Sequence, residues 1–343
     1  ALARPRRCAW ATALPDAAAR PLVIHGALDR HLADPLLAAF RRRHPGIATV
    51  YHNLDANALY QSLLAADEAG TAAPDLLLSP AMDLQMKLAN DGHAQPYASP
   101  HTRRLPDWAR WRHEVFAYAF EPVVIAYHRQ RLAAAEVPAS RFRLIGLLRQ
   151  AAPRRRGRVA SYDPARSGAG YLYLTQDAEL SPVFWELVQA LGASRVRLYA
   201  TAAAMLDDLE AGAVDLAYDL PGRYAAERAQ KNPAIGIVLP DDYTLLLSRL
   251  ALIPRRAARP QAAGLFLDFL LSDQGQALLA LAPLPTAAGA DAAGQFRLGT
   301  LDSSVHPFIH PIRANPGLLV YLDPLKRRNF LRRWQSILDS GGF

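Results

Sequence analysis

The sequence predicts an α/β protein built as two Rossmann-like lobes joined by a two-crossing hinge. Three observations predict it. From residue 21 onward, apolar segments of strand length alternate with amphipathic segments of helix length, the pattern of mostly parallel sheets wrapped by helices. An apolar run at 115–128 interrupts that alternation, which then starts again. A second run of β-character, 244–253, comes late enough to carry the chain back to the first lobe. With 343 residues, the chain can bury two separate cores.

In the first lobe, residues 22–25 form a short apolar strand, 26–29 a turn, and 34–43 an amphipathic helix stopped by Pro45-Gly46. Residues 47–52 form the second strand, and Asp55 is placed to cap a helix over 56–66. Strand 75–78 feeds Ser79-Pro80-Ala81-Met82-Asp83 and a helix ending near Asn90-Asp91-Gly92. The run 115–128 contains Glu121-Pro122, and a proline there marks an edge or a crossover rather than a central strand. The second lobe repeats the grammar, with helix 142–149, strand 158–162, helices 170–177 and 182–191, strand 195–199, helix 202–211, and strands 213–218 and 235–239. After Pro240-Asp241-Asp242-Tyr243 come the returning run, a helix over 262–271 and a basic amphipathic helix from Pro324 to Leu338. The expected organisation is a tail, 1–20; lobe 1, 21–122 with 245–285; lobe 2, 123–244; and a C-terminal helical segment, 286–343, packing on the lobes. No repeat of solenoid period interrupts this.

The composition is globular: 51% hydrophobic and 20% charged, with a formal net charge of +8. The basic residues are nearly all arginine, with Lys87, Lys231 and Lys326 the lysines. The runs Arg41–Arg43 and Arg154–Arg156 read as solvated faces, and no aromatic-interleaved basic stripe accompanies them, which argues against nucleic acid as a partner. A positive field can still draw in a small anion. Cys8 is the single cysteine, so neither an internal disulfide nor a thiolate metal cluster can form. No apolar run reaches the length of a membrane span, and residues 1–20 lack the apolar centre of a signal peptide.

The segment Tyr162-Asp163-Pro164-Ala165-Arg166-Ser167-Gly168-Ala169-Gly170-Tyr171 reads as a strand end, a polar turn and a helix start, a ready anion site. Ser167 offers a hydroxyl, Gly168 and Gly170 allow close backbone approach around Ala169, and the first N–H groups of a helix lack intrahelical partners. Arg166 could fork onto a phosphate or carboxylate, and a plain surface arginine explains it equally. Parallel sheets collect ligands at the carboxyl ends of their strands. That adds the turn at Gly26 and Ala27, the Ser79-Pro80-Ala81 turn, and Tyr218-Asp219 before Pro221-Gly222. Capping explains Ser79 as well as ligand contact does. Asp219 is awkward beside an anion unless protonated or paired, and it could receive an ammonium or hydroxyl group. Asp29 and Asp55 read as helix caps, and His25 as a hydrogen-bonded core residue.

Several of these segments resemble the periplasmic solute-binding proteins of ABC importers. The resemblance lies in the two-lobed type II branch that includes ferric-ion, thiamine, 2-aminoethylphosphonate, sugar-phosphate and phosphoglycerate-regulatory binding proteins. Its carriers are residues 79–92, Tyr162-Asp163-Pro164 with Ser167-Gly168-Ala169-Gly170-Tyr171, Asp242-Tyr243-Thr244, and Phe266 to Ser272 with Gly275-Gln276. It implies a monomeric periplasmic protein that closes on a small anionic metabolite, phosphorylated or carboxylated, and presents it to a membrane permease or to a sensor-kinase ectodomain. It implies no cofactor. Ferric relatives hold iron through adjacent tyrosines. Tyr218 has Asp219 as its neighbour instead, so iron is the weaker alternative and no metal residue is expected. The chain carries no G-x-S-x-G elbow, H-E-x-x-H or P-loop, and Pro307 and Pro311 spoil a helical His306/His310 pair, so no catalytic residue is expected.

Overall fold

The computed structural model describes residues 20–150, 155–280 and 308–341. Its strands are β1 (Leu22–Gly26), β2 (Thr49–Asn53), β3 (Leu76–Ser79), β4 (Arg110–Trp111), β5 (Val115–His128), β6 (Val159–Tyr162), β7 (Arg197–Tyr199), β8 (Leu216–Pro221), β9 (Ile235–Val238), β10 (Thr244–Leu252) and β11 (Ile309–Pro311). They run in the order β2-β1-β3-β10-β5-β8-β6-β7, with β11 on β10 and both β4 and β9 on β5. The first lobe is a parallel β2-β1-β3 set closed by antiparallel β10 and the first half of β5. The second is a parallel β8-β6-β7 set against the second half of β5.

The hinge follows from Pro122. The fourteen residues of β5 are buried throughout. Up to Pro122 they pair with β10, and from Val123 they pair with β8 and β9. A residue without an N–H is where a strand can change partners. The return crossing differs from the sequence expectation. Both ends of β10 pair within the first lobe and with β11, so the chain crosses in the polar turn 239–243, before β10 begins.

Local chemistry explains most element boundaries. Asp55 accepts from the Ala58 amide and starts helix Ala56–Glu68, and Ser272 caps Asp273–Leu279 through the Gly275 amide. Tyr218-Asp219, expected at a strand end, lie within β8, which runs straight into helix Gly222–Lys231. Gly222 is needed there, because a Cβ would stand 2.9 Å from the Pro122 ring and carbonyl. In β8 two residues, Tyr218 and Asp219, oppose the single Ile125 of β5, a bulge in which Asp219 takes φ +65. At the C-terminal end, Pro316–Leu322 forms a 3₁₀ stretch, and helix Pro324–Ser340 starts at Asp323, which accepts from the Leu325 and Lys326 amides. Among the described residues no helix is long and apolar enough to cross a membrane. Cys8, His306 and residues 1–19 of the tail expected at 1–20 lie outside the described residues.

Candidate functional site

On the first lobe, β1 ends against β2. The Tyr51 hydroxyl donates to the Leu28 carbonyl at 2.6 Å and accepts from the Leu28 amide at 3.0 Å, while the Ala27 amide donates to Leu78. Gly26 fits only as glycine, since a Cβ would lie 2.5 Å from the Tyr51 oxygen. At the end of β3, Ser79 is buried and its Oγ accepts from the Ala81 amide at 3.1 Å, a local turn that opens helix Met82–Asn90. Pro80 and Ala81 are half-buried beside it.

On the second lobe, β6 delivers the 163–170 turn. Asp163 Oδ1 accepts from the Ala165 amide at 2.9 Å, and Ser167 Oγ accepts from the Gly170 amide at 3.1 Å, starting helix Gly168–Leu180. The two glycines divide the work. A Cβ on Gly170 would lie 2.2 Å from the Tyr162 Cβ, so its role is packing; around Gly168 the space is open. Arg166, Gly168 and Ala169 are exposed, and Ser167 is buried.

Tyr218 and Asp219 sit deeper than a surface turn. The Tyr218 hydroxyl donates to Asp177 Oδ2 and accepts from Arg141 Nε at 2.8 Å. Arg141 also reaches Asp177 Oδ1 at 2.9 Å, the Tyr243 carbonyl at 2.8 Å and Asp242 at 3.2 Å, and its guanidinium lies 3.6 Å from the centre of the Tyr243 ring. Tyr243 donates to Asp177 Oδ1 at 2.7 Å. This buried network ties helices Arg141–Gln150 and Gly168–Leu180 and strand β8 to the hinge turn. Asp219 hangs from its edge, 2% exposed, with Oδ2 lacking a hydrogen-bond partner. Burial, and then the charge of Asp177, push its carboxyl well above the ordinary aspartate range.

A second buried pair, Glu121 and Arg249, which sequence reasoning missed, lies near the hinge. Arg249 Nε donates to Glu121 Oε1 at 3.0 Å, with the side chains 4% and 2% exposed, and its Nη1 reaches the Ala27 carbonyl at 3.1 Å. Burial works against the Arg249 charge, but Glu121, Tyr118, Tyr224 and Tyr173 outweigh it and hold the guanidinium above its ordinary value. Tyr173 and Tyr224 belong to the second lobe, so Arg249 stands between the lobes. Burial raises Tyr118 to about 12, and Tyr162 also rises, first by burial and then through Asp219. Buried atoms without partners gather here: Glu121 Oε2, Tyr118 Oη, Asp219 Oδ2 and Arg223 Nε. Native interiors rarely leave such groups unsatisfied. The signal for Glu121 and Arg249 was present: one acid and one base, each alone in an apolar strand, must pair when buried.

Two α/β lobes that share the long strand β5, with buried and under-satisfied polar groups where they meet, are the architecture of a solute-binding protein. The chain belongs to the bacterial extracellular solute-binding proteins, whose family model matches residues 22–281. It is similar to the substrate binding protein of the ABC transporter from Agrobacterium tumefaciens, at 35% identity, TM-score 0.81, over 94% of this chain and 96% of that one. It shares its fold with iron-bound HitA from Pseudomonas aeruginosa, at 16% identity and TM-score 0.70 over 92% and 99% of the two chains. The same holds for AfuA from Actinobacillus pleuropneumoniae, whose structure holds exogenous fructose-6-phosphate, at 16% identity and TM-score 0.67 over 93% and 98%. Comparison with curated protein sequences finds no significant match. The chain is thus a substrate-binding protein of the ABC-transporter type, from a family of binders rather than enzymes. Among the described residues no group of three or more His, Cys, Asp or Glu side chains could hold a metal ion.

Proposed function

We propose that the protein is the monomeric periplasmic component of an ABC importer, which captures a small phosphorylated or carboxylated metabolite by hinge closure and delivers it to a membrane permease without chemical change. The observation that carries this reading is the cluster of buried polar groups around Arg249, between the lobes. There a buried guanidinium and the Tyr118 hydroxyl offer donors to an anion, while Glu121 Oε2 and Asp219 Oδ2 remain to receive donors from the ligand. A metabolite with an oxyanion and hydroxyl or ammonium groups answers both halves. The 163–170 helix start and the Ser79-Pro80-Ala81 and Gly26-Ala27 turns frame it. We assign Tyr218 to support, since Asp177 and Arg141 occupy its hydroxyl.

A ligand that binds the folded, closed form raises the melting temperature by mass action. The test is a thermal-shift screen of sugar phosphates, phosphoglycerates, aminophosphonates, di- and tricarboxylates, thiamine and Fe(III), followed by calorimetry on the hits. Anionic metabolites should give the shift. Arg249→Lys should keep the partner of Glu121 and weaken binding by about tenfold to a hundredfold, the loss of one charge-assisted hydrogen bond. A response to iron alone, turnover of a hit, or unchanged affinity in Arg249→Lys would sink the reading.

A further inference from the structure

The C-terminal segment 308–341 touches both lobes at the ligand loops. Residues 309–311 pair with the first residues of β10, the Ile312 amide donates to Leu246 and the Ala314 amide to Trp108. The 3₁₀ stretch Pro316–Leu322 then packs on helix Met82–Asn90, which follows the Ser79-Pro80-Ala81 turn of the first lobe. Helix Pro324–Ser340 packs on helix Phe184–Ala193 of the second lobe. Backbones there approach so closely that a Cβ on Gly192 would lie 1.9 Å from the Leu338 carbonyl oxygen. Phe330 and Trp334 fill that contact against Phe184. The anchor on the second lobe is therefore apolar and broad.

The link between the two anchors is polar and narrow. The Tyr171 hydroxyl donates to the Tyr321 carbonyl at 2.9 Å. The Arg327 guanidinium lies 4.3 Å from the centre of the Tyr171 ring, and its Nη2 donates to the Ala165 carbonyl at 3.4 Å, inside the 163–170 turn. Arg327 thus grips the 163–170 turn of the second lobe, while the 3₁₀ stretch of the same segment packs on the first-lobe helix. A looser interlobe pair joins His31, largely exposed, to the half-buried Glu227 at 3.7 Å.

We propose that residues 315–340 form a third tether between the lobes and that Arg327 is the positioning residue that holds the 163–170 turn toward the first lobe. The tether rides on the second lobe through its aromatic face and reaches the first through Pro316–Leu322. Its removal shifts the lobes toward the open arrangement while leaving both cores intact. This goes beyond the ligand reading and does not depend on it.

The test uses the full chain without added ligand, carrying Cys8→Ser and spin labels on cysteines introduced at the exposed positions Gln61 and Arg143, one on each lobe. Pulsed electron resonance reads the distance distribution. Arg327→Ala should raise the long-distance population relative to the short one about fivefold, the worth of a cation–π contact with a charge-assisted hydrogen bond to a carbonyl. Arg327→Lys should restore most of the short population, and Arg328→Ala, an exposed neighbour, should change nothing. The melting temperature should stay near that of the parent. Identical distributions for Arg327→Ala and the parent, or an equal shift in Arg328→Ala, would overturn the proposal. Failure here would leave the screen of the preceding section untouched.

Discussion

Two of the buried arginine–acid pairs among the described residues, Arg141 with Asp177 and Arg249 with Glu121, end differently. Arg141 is saturated: its donors go to Asp177, Asp242, Tyr218 and the Tyr243 carbonyl, and both Asp177 oxygens are also occupied by tyrosines. Arg249 satisfies Glu121 on one oxygen only, with the unpartnered Tyr118 hydroxyl beside it. A complete network rigidifies; an incomplete one keeps polar capacity for something else. On the proposed function, the contrast separates a scaffold from a receptor within one chain.

The sharpest way to break the contrast is at the saturated cluster. Arg141→Met leaves Asp177 buried without its cation, which should cost about 3–5 kcal/mol of folding stability. Urea denaturation measures it. A loss below about 1 kcal/mol would mean that the cluster is not the support assigned to it.

The hydroxyls give the next test, because the same change is made in each cluster. Tyr218→Phe strips a partner from both Arg141 and Asp177 and should cost about 1–3 kcal/mol. Tyr118→Phe removes a buried hydroxyl that has no hydrogen-bond partner, so stability should hold or rise slightly while affinity for a hit from the screen falls about fivefold. Equal stability losses in the two variants would erase the distinction between the clusters.

Much of this was legible in the sequence. The alternation of strand and helix, the hinge proline at 122 and the turns at 26–27, 79–81 and 163–170 all follow from local pattern, because helix caps and strand ends are written in neighbouring residues. Glu121 and Arg249 were visible as lone charges in apolar runs, yet their meeting depends on β5 and β10 being paired across 128 positions. The Arg141 cluster was hidden for the same reason: its members are contributed by two helices, one strand and the hinge turn. The bulge that turns Asp219 inward is also set by pairing with β5, not by the residues around it.

Asp219 lies between the two clusters and yields the finest test. Its raised carboxyl pKa has burial as its first cause and the charge of Asp177 as its second, opposed by Arg141. The groups facing it include Tyr218 on its own strand, Asp177 and Tyr173 on helix Gly168–Leu180, Tyr162 on β6 and Tyr243 at the hinge. An acid raised in the folded state has the same protonation folded and unfolded below its unfolded pKa of about 4. Above that value the unfolded chain ionises first, so stability falls with rising pH until the folded carboxyl also titrates, at a ceiling of about 1.4 kcal/mol per pH unit. Asp219→Asn abolishes this term, and asparagine tolerates the positive φ almost as well as aspartate does. The stability difference between variant and parent should therefore widen in favour of the variant from pH 4 upward and level off once the folded carboxyl ionises. A difference that stays flat across that window would show that Asp219 is ionised in the folded protein. The proposed site would then present two carboxylates, Glu121 and Asp219, and the cargo would have to bring the positive charge.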